Sequence, residues 1–94
     1  MLADAALTDI KRGEEADWLL KNPLFEAAIT SVRDGIVSAI ATSPMGDDKT
    51  HNRLAIALQL LNQIEKQLKD HITTGKMVAM QVQDKSRLRK AVGF

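Results

Sequence analysis

Residues 48–75, DKTHNRLAIALQLLNQIEKQLKDHITTG, decide the fold. The stretch holds no Pro, and no Gly before its last position. Leu54, Leu58, Leu61, Ile64 or Glu65, Leu68 and Ile72 fall at spacings of three and four, so they line one face of a 3.6-residue helix. Gly75 is placed as the C-terminal stop of that helix. Upstream, Asn22-Pro23 breaks the chain and starts a second long helix. Asn is a preferred N-cap, Pro at the first helical position gives up an N–H that has no intrahelical partner, and Glu26 sits in the first turn.

From Pro23 onward Phe25, Ile29, Val32, Ile36 and Ile40 recur at spacings of four, three, four and four. Ala28, Ala39 and Ala41 are small enough to admit a neighbouring helix. Gly35 costs roughly 1 kcal/mol in a helix interior relative to Ala, so it marks a close crossing or a bend, or it is simply tolerated. Thr42-Ser43-Pro44-Met45-Gly46-Asp47 is dense in turn residues and separates the two long helices, with Asp47, Asp48 or Thr50 available as the next cap. Helices over 23–42 and 48–74, joined by so short a loop, are predicted to lie antiparallel. The expected fold is therefore all-α, an antiparallel helical hairpin in a single domain, with a short N-terminal helix and a basic C-terminal tail.

The flanks are weaker. Residues 1–13 carry a sparse stripe (Leu2, Ala3, Ala5, Ala6, Leu7, Ile10) that Gly13 can end, and so short a segment is marginal in water. It reads as an arm. Residues 14–21, EEADWLLK, form a better helical piece, with acids at the front, Lys21 at the back and an apolar patch of Trp18, Leu19 and Leu20. After Gly75, Met77, Val78, Met80 and Val82 mix helical and strand spacing with a lean to helix. Residues 84–92 read as a basic tail or a short helix, with Leu88 and Val92 on one side.

Composition bounds the function. With 94 residues, 45% hydrophobic and 27% charged, the chain is one small folded domain with a mostly aliphatic core, since Trp18, Phe25 and Phe94 are its only aromatics. The absence of cysteine removes disulfides, thiol nucleophiles and cysteine-based metal sites. Residues 1–13 lack the basic start and long apolar run of a signal peptide, and no membrane span is expected. The net charge of +1 conceals a gradient: residues 1–47 carry four basic and eight acidic groups, and residues 76–94 carry five basic and one acidic. The front is acidic and the back basic.

No site for chemistry emerges. His51 and His71 stand twenty residues apart on one helix, too far to share a metal. Glu65, the acid deepest in the long helix, is placed to pair with Lys69 at i+4. No GxGxxG or GxxxxGK[ST] occurs, and Thr74-Gly75-Lys76 is too short for a phosphate loop. The expectation is a protein that is no enzyme, with no cofactor, metal or small-molecule substrate.

What remains is contact. Ile56 and Leu60 lie away from the line through Leu54, Leu58 and Leu61, so the long helix has more apolar surface than one neighbour covers. The apolar stripes Trp18, Phe25, Ile29, Val32, Ile36, Ile40 and Leu54, Ile56, Leu58, Leu60, Leu61, Leu68, Ile72 are the candidate interaction residues, for self-association or for a partner. The alternative is a three-helix monomer closed by Trp18, Leu19 and Leu20. Lys85, Arg87, Arg89 and Lys90 form the one basic cluster, a candidate for anion or nucleic-acid contact or else a solvated tail.

The run over residues 16–28, ADWLLKNPLFEAA, followed by Thr42-Ser43-Pro44, Asp47-Asp48 and Thr74-Gly75-Lys76, resembles a group of small tailed-bacteriophage proteins encoded among head and packaging genes. They share an LL-x-N-P-x-F-x-x-A opening, a T-x-P turn and a T-G-K exit. The resemblance spans residues 16–76, with Ser38-Ala39-Ile40 standing where the group has a bulky aromatic. It implies a viral structural or packaging role, in the host cytoplasm or the virion. Three readings follow: a virion-assembly protein that oligomerises or docks on a head, connector or packaging component; a small-terminase-like module that meets DNA through the basic tail; or a small intracellular regulator of a host protein.

Overall fold

The computed structural model describes residues 2–91, with side chains described over 4–87. The protein is all-helical, with three helices and no strand among the described residues: α1 (Leu2–Lys21), α2 (Pro23–Thr42) and α3 (Asp48–Ala91). Two compact units result, one from α1 up to Leu19 with α3 from Leu68 onward, the other from Leu20 to Gln67.

The unit over 20–67 begins at the Asn22-Pro23 break. Asn22 is extended (φ −69°, ψ 121°), and its Oδ1 accepts from the N–H groups of Leu24 (3.0 Å) and Phe25 (3.2 Å). Two donors left orphaned at the start of α2 are thereby satisfied. At the other end the Ser43 N–H returns to the carbonyls of Ala39 and Ile40. Asp47 then caps α3: its carbonyl accepts from His51 N–H at 3.1 Å and its Oδ1 from Thr50 N–H at 3.2 Å. Hydrogen bonds from the Thr50 hydroxyl and N–H, aided by His51 nearby, hold the Asp47 carboxyl below its ordinary pKa of 3.8 against the opposing effect of desolvation.

Phe25, Ile29, Arg33, Ile36 and Ile40 of α2 are half-buried, as are Leu54, Leu58, Glu65 and Leu68 of α3, while Leu61 is buried. Val32, expected on the covered stripe, is instead exposed, and Arg33 takes the place four residues after Ile29 and three before Ile36. Both spacings suit a helix. Arg33 wins the seam because its guanidinium meets Asn62 Oδ1 (3.0 Å) and pairs with Glu65. Glu65 thus takes its partner from α2 rather than from Lys69, the expected neighbour.

The other unit overturns the expectations for both flanks. Residues 2–21 are one helix rather than an arm and a separate piece, and α3 runs through Gly75 to Ala91 rather than stopping there. The physical reason is the same at both glycines. Each lies inside its helix with no left-handed φ and serves by lacking a side chain. A Cβ on Gly13 would stand 2.8 Å from the His71 carbonyl oxygen and 3.1 Å from Gly75 Cα. One on Gly75 would stand 3.0 Å from the Asp9 oxygen and 3.1 Å from Gly13 Cα. The backbones of α1 and α3 touch there, and Ala16, at 4% exposure, is buried beside them. With no Pro after Gly75, nothing in residues 76–91 interrupts the ladder.

Candidate interaction surface

Among the described residues the buried apolar side chains are Ala16 and Leu61 alone, and no polar side chain is fully buried. Leu7, Trp18, Leu24, Val32, Val37, Met45, Ile56, Leu60, Ile64, Met77, Met80 and Val82 are about half exposed or more. Folded proteins rarely place this many large apolar groups in water, and contiguous ones mark contact sites.

The exposed residues over 20–67 have an order. On α2, the exposed Leu24, Ala28, Val32 and Gly35 and the half-buried Ala39 each stand one position before a seam residue, as do the half-buried Ala57 and the exposed Leu60 and Ile64 on α3, with the polar Arg53 at the start of that row. One residue is about a 100° rotation, so each helix carries a second apolar strip beside its seam, turned the same way. The positions one after the seam are different. They are Glu26, Thr30, Asp34, Val37 and Ala41 on α2, and Ala55, Gln59, Asn62 and Lys66 on α3, polar except for Val37 and the two alanines. The polar side suits water and the apolar side does not.

Of the residues singled out by spacing, Phe25, Ile29, Ile36, Ile40, Leu54, Leu58 and Leu61 lie on the seam of the 20–67 unit, Leu68 is half-buried in the other unit, and Ile72 lies there beside the glycine contact. Ile56 (56% exposed), Leu60 (61%) and Val32 (52%) face outward. Trp18, expected to cover spare apolar surface, is 67% exposed, whereas the small Ala16 takes the buried position two residues earlier. Of the alternatives Ile64 and Glu65, Glu65 is the half-buried one and Ile64 is exposed, as is Leu24, which spacing did not single out; each stands directly before a seam residue.

Around the glycine contact, Ile10, Gly13, Ile72, Gly75 and Ala79 line a shallow hollow of about 180 Å³, with Glu14, Asp17 and Lys76 at its edge. It is open and mostly apolar, with no convergent donors or acceptors to orient a ligand. The half-buried His51 ring leaves Nε2 without a partner at the start of α3. No group of three or more His, Cys, Asp or Glu is placed to hold a metal, and no helix is long and apolar enough to cross a membrane, among the described residues. Lys85 and Arg87 are exposed on the last turns of α3, while the side chains of Arg89 and Lys90 lie outside the described residues.

Comparison with known proteins adds no relative: no family model, no curated protein and no solved structure matches this chain.

Proposed function

We propose that the protein is a non-enzymatic assembly component of a tailed phage, which acts by laying helical apolar faces against copies of itself or against a head, connector or packaging protein. One observation carries the contact reading. Among the described residues a dozen large apolar side chains, Val32, Leu60 and Ile64 among them, are about half exposed or more, and contiguous apolar surface of that kind is what contact sites present. The phage setting rests on the sequence resemblance over residues 16–76.

Within this reading α2 and the first part of α3 are an antiparallel hairpin. The short connection over 43–47 and the meeting of Arg33 with Asn62 and Glu65 support that arrangement. Fractionation of purified particles and of assembly intermediates, probed for this chain, tests the role. Recovery at fixed stoichiometry with a structural or packaging component is the expected result, and absence from every particle fraction counts against it.

The charge gradient supports a second reading, a small-terminase-like module whose basic tail meets DNA. Binding would then weaken steeply with salt and vanish when Lys85, Arg87, Arg89 and Lys90 are neutralised together. Affinity unchanged by those substitutions rules the DNA role out.

A further inference from the structure

The apolar side of the 20–67 unit is built in two halves of unequal height. The α3 half is a ridge of large side chains, Leu60 and Ile64, with Ile56 further round. Beyond Leu24 at its start, the α2 half is lower over residues 28–35, with Ala28 and Gly35 on either side of Val32, and a Cβ on Gly35 would meet nothing within 4 Å. Gly35 therefore has no reason for its missing side chain inside its own chain, in contrast to Gly13 and Gly75. In two antiparallel helices, strips turned the same way from the seam fall on one side of the pair, so ridge and trough lie next to each other.

We propose that this side is the seat of a second copy of the chain, related by a two-fold axis parallel to the helices, so that each copy's ridge fills the other's trough. The proposal rests on the self-association and hairpin read above and gives them a place and a geometry. Two arguments select a second copy over an unrelated partner. Ridge and trough on one surface are complementary to the same surface turned over, which is the condition for an isologous contact. Such an axis sets each α2 beside the partner's α3, making every neighbour antiparallel in a four-helix bundle.

The axis preserves height along the helices. Arg33 reaches Asn62 and Glu65, so Gly35, two residues further along α2, comes level with Leu60. The Gly35 of one copy therefore faces the Leu60 of the other. Light scattering of the full-length protein across a concentration series tests this. The unmodified chain is expected at twice its 10.3 kDa mass. Gly35→Leu, which improves helix propensity but fills the trough, is expected to bring the mass to one chain, and Asp34→Leu, on the polar side, to leave it at two. Adding Leu60→Ala to Gly35→Leu exchanges ridge for trough and is expected to restore the pair, which separates loss of contact from loss of folding.

A single-chain mass for the unmodified protein at every concentration overturns the proposal and leaves docking on another component as the assembly mode. A two-chain mass that Gly35→Leu leaves in place also overturns it, and moves self-association to a different face. Failure of the assembly role itself is read elsewhere, as absence from particle fractions.

Discussion

Three glycines in this chain do two different jobs. Gly13 and Gly75 let two backbones touch, while Gly35 looks onto open space. Replacing Gly13 by Val sets new atoms against the His71 carbonyl and the Gly75 backbone, neither of which can rotate away. A loss of about 1–3 kcal/mol is expected, as for other overpacked sites, and each kcal/mol lowers the thermal midpoint by about 4–8 °C in a domain of this size. Circular dichroism melts measure it. Asp47 supplies a pH test. Its folded-state pKa is depressed, chiefly by the Thr50 hydrogen bonds, so the stability it contributes is present above the unfolded value and is lost as pH falls through the folded one. The thermal midpoint should therefore fall more steeply below pH 3.8 in the natural protein than in Asp47→Asn, which keeps a capping acceptor without the charge. Parallel curves for the two would remove Asp47 from the acid response.

At the scale of elements, capping chemistry was legible and glycine was not. Asn22-Pro23 and Asp47 announce the starts of α2 and α3 because a cap is a local event that needs only neighbouring residues. Gly13 and Gly75 carry the same letter as a helix stop, and only the approach of another backbone shows that they are crossing points instead. Val32 and Arg33 show the same limit. Helical spacing allows either on the seam, and the choice is made by Asn62 and Glu65, about thirty residues away. The ion pair is partly exposed, with side-chain accessibilities of 34% and 24%, so water screens it. A double-mutant cycle with Arg33→Met and Glu65→Gln is expected to give a coupling of no more than about 1 kcal/mol that shrinks with added salt. A coupling several times larger would mean the seam depends on charge rather than on apolar packing. As for the candidate site, Ile56 and Leu60 stand out from sequence as surplus apolar residues. That their strip continues through Leu24, Val32 and Ile64 depends on where the seam falls, which spacing alone left open.

For the molecule as a whole, the proposed self-association starts from surplus apolar surface. The sequence carries more Leu and Ile than the predicted hairpin covers, and among the described residues a dozen large apolar side chains are about half exposed or more, while the buried ones are Ala16 in one unit and Leu61 in the other. Burial of one such side chain is worth roughly 1.5–3 kcal/mol, against roughly 1–2 kcal/mol of backbone entropy for each ordered residue. An isolated chain with so little buried apolar surface is poorly placed to meet that cost, and under the proposed self-association a second copy supplies the missing burial. Stability should then be inseparable from concentration. Denaturant unfolding of the full-length protein, followed by its helical circular dichroism signal over a wide range of protein concentrations, tests this most directly. The account predicts a midpoint that climbs steadily with concentration, and a single midpoint shared by all concentrations would contradict it.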